Sequence, residues 1–193
     1  MTRLLIMGPP GSGKGTQAAR VAQRFSIPAI STGDIFRANV SAGTPLGVEA
    51  KKFMDAGDYV PDSVTNNMVR ARLSEPDAAD GFLLDGYPRT VAQVEFLDAV
   101  LAEQGVSLDL VIELSVDTEE VVGRLLRRAQ DEGRVDDSEE VVRHRQKVYA
   151  QQTAPLIAVY QARGLHVAID GVGSVDDVAA RVAAQVAGAV EAR

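Results

Sequence analysis

Nine residues near the N-terminus, Gly8-Pro9-Pro10-Gly11-Ser12-Gly13-Lys14-Gly15-Thr16, have the composition of an anion cradle. They follow a short apolar run and precede a helical pattern, the setting in which a GxxxxGK sequence binds phosphate. The glycines let successive backbone N–H groups converge on one point. The helix N-terminus adds partial positive charge and Lys14 a full one. Loops of this kind commonly place Ser or Thr directly after the lysine to ligate Mg²⁺. Here Gly15 intervenes before Thr16, so a metal would be held mainly by phosphates and water.

A second group lies at Phe82-Leu83-Leu84-Asp85-Gly86-Tyr87-Pro88-Arg89-Thr90, where an apolar run ends on an acid and a turn then presents an arginine. Ligands in open parallel sheets bind beyond the carboxyl ends of the strands. Asp85 can therefore sit near a metal shell while Arg89 reaches a phosphate. Gln93 follows on the next helical turn, and its amide donates and accepts together, a pattern complementary to adenine. The cations are 16 Arg and only 4 Lys, and Arg124, Arg127, Arg128, Arg134, Arg143 and Arg145 crowd into one stretch. Guanidinium forks grip phosphates bidentately, and Arg124 and Arg128 share a helix face at i, i+4.

The elements that would position these groups alternate along the chain. Short apolar runs at 3–7, 28–31, 81–85, 109–114 and 165–169 read as strands buried on both faces. Helical patterns at 14–25, 33–42, 46–56, 62–73, 90–104, 118–128, 138–163 and 174–189 lie between them. Asp62, Thr118, Ser138 and Ser174 are the expected N-caps, and Asp177 completes an acidic capping box with Ser174. The alternation predicts right-handed βαβ units, hence an α/β fold with one five-stranded parallel sheet and helices on both faces. Residues 33–60 form a helical excursion from that sheet, and the polar stretch 127–137 reads as a movable loop.

With 193 residues, 46% of them hydrophobic and 24% charged, one core with small insertions is expected. A net charge of −7 argues against a nucleic-acid partner. The absence of cysteine excludes disulfides and Cys-based zinc sites, and His144 and His166 are too few for a His-rich one. The run Leu4-Leu5-Ile6-Met7 is too short for a membrane span or a signal peptide. The expectation is a cytoplasmic protein, with no membrane partner.

The segment GPPGSGKGTQ resembles the phosphate loop of nucleoside monophosphate kinases, and three further segments resemble adenylate kinases in particular: Ser31-Thr32-Gly33-Asp34-Ile35-Phe36-Arg37, Asp58-Tyr59-Val60-Pro61, and the Asp85–Arg89 turn. The resemblance covers nearly the whole chain, in the family's order. It implies a P-loop NTPase-type three-layer fold with a core of residues 1–30, 61–126 and 138–193, an AMP-binding subdomain at 31–60, and a short lid at 127–137 that includes the acids Asp136 and Asp137. It implies ATP binding by Gly11, Ser12, Gly13, Lys14, Gly15, Thr16, Arg124, Arg128 and Gly173. AMP would be bound by Thr32, Arg37, Asp58, Tyr59, Val60, Gly86, Tyr87, Pro88, Arg89, Gln93, Arg134 and Arg145. The catalytic set would be Lys14, Arg89, Arg128, Arg134 and Arg145, with Mg²⁺ as cofactor reached through water by Asp85. No zinc is expected in so short a lid.

The implied activity is reversible transfer of the γ-phosphoryl group of ATP to AMP, giving two ADP, by a monomer serving adenine nucleotide homeostasis. Such a transfer needs in-line positioning, charge neutralisation and exclusion of water, and no protein nucleophile. A UMP/CMP kinase shares the same core and stands as the alternative. A P-loop module that only switches with nucleotide would have no use for Arg37, Arg89, Arg134 and Arg145 around a second phosphate.

Overall fold

The computed structural model describes residues 2–132 and 138–191. Five parallel strands, β1 (Thr2–Met7), β2 (Ala29–Ser31), β3 (Gly81–Asp85), β4 (Leu110–Ser115) and β5 (His166–Asp170), form one sheet in the order β2-β3-β1-β4-β5. The helices are α1 (Lys14–Phe25), α2 (Thr32–Ala42), α3 (Pro45–Ala56), α4 (Asp62–Leu73), α5 (Val91–Glu103), α6 (Thr118–Glu132), α7 (Glu139–Val148), α8 (Leu156–Ala162) and α9 (Val175–Glu191).

Alternation along the strands decides which layer each side chain joins. Leu5 and Met7 of β1 face one core with Phe82 and Leu84, and Leu4 and Ile6 face the other with Leu83 and Ile112. The first core is closed by Val69 and Leu73 of α4, Val94, Leu97 and Leu101 of α5, and Leu156 and Tyr160 of α8. The second is closed by Ala18 and Val21 of α1 and by Val178, Val182 and Val186 of α9. Those three valines recur every fourth residue and form one stripe; burying each contributes about 1.5–3 kcal/mol. All six residues of β1 are buried, so the strand that feeds the phosphate loop is fixed on every side. The excursion has a small core of its own, in which Phe36, Ala50 and Val60 pack with Phe53 and Met54. Among the described residues no helix is long and apolar enough to cross a membrane.

Three expectations need correction. The helical pattern 138–163 is not one helix. It is α7, then a π-helical turn at Tyr149–Thr153, then α8 beginning after Pro155. Proline has no N–H to continue the ladder, and Ala154 N–H reaches back five residues to the Tyr149 carbonyl at 2.9 Å. Asp62 does not cap α4, whose N-cap is Pro61; its carboxylate instead accepts from Gln93 Nε2 at 2.7 Å and Thr90 Oγ1 at 2.9 Å. Finally, the stretch 127–137 begins as helix, because α6 continues to Glu132; residues 133–137, including Asp136 and Asp137, lie outside the described residues.

The other caps divide. Asp117, not Thr118, receives the N–H of Glu119 at 2.9 Å, and Ser138 precedes α7 without a side-chain cap bond. Ser174 and Asp177 do form the reciprocal box, Ser174 Oγ accepting from Asp177 N at 3.1 Å.

Candidate active site

β1 and β3 are neighbours in register, with Ile6 beside Asp85. Their carboxyl ends therefore release the phosphate loop and the Asp85–Arg89 turn side by side. The loop's tight path depends on glycine at two points. Gly8 has φ +142°, and a Cβ there would lie 2.6 Å from the Leu114 carbonyl oxygen. Gly11 has φ +89°, and a Cβ would meet the Val121 carbonyl oxygen at 2.8 Å. Gly13, also left-handed, is the N-cap of α1. The helix thus opens with backbone N–H groups directed at the loop's interior. The Lys14 ammonium folds back over the loop and donates to the carbonyls of Gly8 at 2.7 Å and Pro9 at 2.8 Å. Ser12 is buried, while Gly15 and Thr16 are exposed at the start of α1.

Two adjoining cavities open beside this loop. One, of about 390 Å³, takes Lys14 and Gly8 into its wall. The other, of about 650 Å³, is lined by Thr32, Arg37, Val60 and Gln93 among others. Pro10, Tyr59, Gly86, Arg89 and Arg145 line both. Arg89 is held on several sides: its N–H donates to Gln93 Oε1 at 2.7 Å, its Nε donates to the Gly86 carbonyl at 2.7 Å, and its guanidinium lies 4.8 Å from the centre of the Tyr59 ring. Thr32 Oγ1 donates to the same Gly86 carbonyl at 2.9 Å. Arg37 forms an ion pair with Asp34, one turn away on α2.

Gln93 is more constrained than its sequence context implies. Arg89 N–H can only donate and the Asp62 carboxylate can only accept, so the amide has one possible orientation. One N–H and one lone pair remain for a ligand. Tyr87 turns its side chain into the core, where its hydroxyl donates to Asn66 Oδ1 at 2.7 Å; Tyr87 and Pro88 join the wall of the smaller cavity. Asp58 receives a 2.7 Å contact from His144 Nε2 of α7, tying the return of the excursion to that helix.

On the far side of the phosphate loop, Arg124 of α6 donates from Nη1 and Nη2 to the Gly171 carbonyl at 3.3 Å, bringing that helix against the loop that contains Gly173. Arg181, which no motif singled out, holds the same loop by donating to the Asp170 and Val172 carbonyls. The side chain of Arg128, and the whole of Arg134, lie outside the described residues.

Asp85 ends β3 with its carboxyl group drawn away from solvent beside Lys14 and Arg89, and a Cβ on Gly15 would come 3.5 Å from its Oδ2. Burial pushes its pKa above the usual carboxylate range, although Lys14 and Arg89 pull the other way. A desolvated carboxylate here fits a divalent cation approached through water. Among the described residues no three His, Asp or Glu side chains gather into a metal cage, so phosphates would supply most of the ligands. The raised pKa has a checkable consequence. The native state takes up this proton more readily than the unfolded chain, so stability falls as pH climbs from about 4 through the folded pKa. Asp85→Asn removes that loss. Calorimetry of the nucleotide-free variant should show a melting temperature raised at pH 7–8 and unchanged in strong acid, while Mg²⁺-supported turnover should collapse. A variant less stable than wild type at neutral pH would mean that the pairing with Lys14 and Arg89 outweighs the burial.

The family model for adenylate kinase matches residues 6–165, which span the phosphate loop, both cavities and the strands that carry them. The chain belongs to the adenylate kinase family. It is 66% identical to the adenylate kinase of a Nocardioides species over 93% of this chain and 94% of that one. It is 61% identical to the adenylate kinase of Kocuria rhizophila over 95% and 98%, and 60% identical to that of Pseudarthrobacter chlorophenolicus over 94% and 95%. The supporting residues that the sequence left unmarked are Arg181, on the 170–173 loop, and Thr153, whose Oγ1 donates to the Arg89 carbonyl at 2.9 Å; Asp62, expected as a cap, instead holds Gln93.

Proposed function

We propose that this adenylate kinase transfers the γ-phosphoryl group of Mg-ATP to AMP, reversibly, and so maintains adenine nucleotide balance in the cytoplasm. The observation that carries this reading is the common wall of the two cavities. Arg89 and Arg145 border the space in front of Lys14 and the space in front of Gln93 alike, so two phosphate chains lodged there would meet between the same guanidinium groups. The working unit in this reading is a monomer. The excursion 31–60, with its own small core, would be the AMP-binding arm, 127–137 the lid, and the remainder the rigid base.

In this reading ATP lies along the phosphate loop, with its base between Arg124 and the Gly173 loop. AMP enters the larger cavity with its base near Thr32, Val60 and Gln93 and its phosphate towards Arg37 and Arg89. The AMP phosphate is largely dianionic at neutral pH, with a second pKa of about 6, so no general base is required. Lys14 leaves the Gly8 and Pro9 carbonyls to follow the transferring group, and Arg89, Arg128, Arg134 and Arg145 neutralise the charge that builds on it. Asp85 would hold Mg²⁺ through water, and the ion would supply positive charge to offset that of the ATP phosphates. Closure of the arm and lid, a motion for which adenylate kinases are a standard example, would exclude water that otherwise competes as acceptor.

The test is an acceptor panel with Mg-ATP: AMP, dAMP, UMP, CMP and GMP. AMP should give the highest kcat/KM by at least about 100-fold over the pyrimidine nucleotides, a discrimination in the range for sites that hydrogen-bond a specific group. A preference for UMP or CMP would make the chain a pyrimidine nucleotide kinase on the same scaffold. A bisubstrate analogue joining two adenosines through five phosphates should bind far more tightly than ATP; equal affinity would point to a nucleotide switch with no second site.

A further inference from the structure

Thr153 is a polar residue only 5% exposed, at the end of the π-helical turn, and it makes two hydrogen bonds to distant parts of the chain. Its Oγ1 lies 2.9 Å from the carbonyl oxygen of Arg89 and 2.8 Å from the hydroxyl of Tyr59. The proton count fixes the direction of both. A carbonyl can only accept, so the Thr153 proton points to Arg89; Oγ1 must then accept the proton of Tyr59. That places the Tyr59 phenol with its ring over the Arg89 guanidinium, 4.8 Å from centroid to carbon. One hydroxyl thus steadies Arg89 twice, through its main chain and through the aromatic face on which its side chain rests. The inserted residue of the π turn is what aims the group. Without it, the helical repeat would rotate Thr153 by roughly 100° away from Arg89.

We propose that Thr153 is a positioning residue for the acceptor side of the reaction. It orients Arg89 through the Thr153–Tyr59 pair, and it couples that orientation to α7, the helix that carries Arg145. The inference rests on the assignment of Arg89 to the AMP phosphate. With the Arg89 N–H on Gln93 and its Nε on Gly86, the two terminal nitrogens are the donors left for that phosphate. Thr153 borders the smaller cavity, but its hydroxyl proton is directed to the Arg89 carbonyl and not to a substrate. Its contribution is the preformed direction of the guanidinium fork, and loss of preorganisation lowers affinity without removing a contact.

Thr153→Val keeps the shape and removes the hydroxyl; Thr153→Ser keeps the hydroxyl and removes a methyl. Steady-state kinetics on the full chain should show KM for AMP raised about tenfold in Thr153→Val, KM for ATP within twofold of wild type, and the AMP value restored to within about threefold in Thr153→Ser. Tyr59→Phe, which keeps the ring in place, should raise KM for AMP in the same direction. It also carries the test if the valine variant fails to fold. Combining Tyr59→Phe with Thr153→Val should add little to Thr153→Val alone. A wild-type KM for AMP in both single variants would overturn the proposal, as would equal losses for both nucleotides or failure of serine to restore the value. Calorimetry of AMP on Arg89→Ala separates the premises. If that variant binds AMP normally, the assignment of Arg89 is wrong and the role of Thr153 falls with it. If it binds AMP weakly while Thr153→Val does not, Thr153 alone is overturned.

Discussion

Lys14→Met is expected to fold with a melting temperature within a few degrees of wild type and to turn over about a thousandfold more slowly, the upper range for removal of one preorganised donor from a developing anion. The Lys14 charge offsets the burial of Asp85, whose carboxyl group can take up a proton when that charge is lost. The Lys14 ammonium donates to the Gly8 and Pro9 carbonyls at the mouth of a cavity, where water can take its place at a net cost of about 1 kcal/mol or less per bond. Methionine reproduces most of the stem. If Lys14 follows the transferring group as proposed, that step has no such substitute, because neither water nor methionine supplies the full positive charge of the ammonium. KM for ATP should move much less than kcat, since the loop's backbone N–H groups still hold the phosphates. Calorimetry and single-turnover quench experiments check both halves, and a well-folded variant with wild-type kcat would remove Lys14 from the mechanism.

Arg89→Ala should weaken AMP binding by about tenfold to a hundredfold, equivalent to roughly 1.5–3 kcal/mol for one charge-assisted contact. Binding of a non-hydrolysable ATP analogue should change less than threefold. The structure sharpens this expectation. The Arg89 main chain is anchored through its N–H and carbonyl, so truncation of the side chain leaves the turn in place and deletes the fork, its stacking on Tyr59 and its Nε bond to the Gly86 carbonyl, which keeps its bond from Thr32. Arg89→Lys should recover part of the loss at best, because a point charge cannot reproduce two parallel bonds or the flat contact with the ring. Calorimetric titration of each nucleotide separates the two sites. If the alanine variant lost the ATP analogue and kept AMP, the substrates assigned to the two cavities would have to be exchanged.

The strands were legible because a parallel sheet covered on both faces demands largely apolar runs; the runs 4–7 and 82–84 are unbroken, and 110–114 is interrupted by Glu113 alone. The phosphate loop was legible because its conformation requires glycine at fixed places. What could not be read locally depends on partners far along the chain. By local rules Asp62 is a helix cap, yet residues 28 and 31 positions away claim its carboxylate. Arg181 is one cation on a solvated helix until the fold brings the 170–173 loop beneath it. Pro155 was a visible stop signal inside the 138–163 pattern. Even so, the widened turn before it brings Thr153 to Arg89 and Tyr59, and no periodicity encodes those distant partners.

The register of β1 with β3, Ile6 beside Asp85, would make the spacing between the proposed donor and acceptor a property of the sheet. Neighbouring strands stand about 4.8 Å apart by virtue of their hydrogen bonds, so the origin from which both nucleotides are measured is as stiff as the molecule's centre. In the proposed reading, the 31–60 arm and the 127–137 lid would be walls around a fixed bench. Their composition could drift with growth temperature, becoming softer or firmer to adjust opening rates, without altering the line along which the phosphoryl group travels.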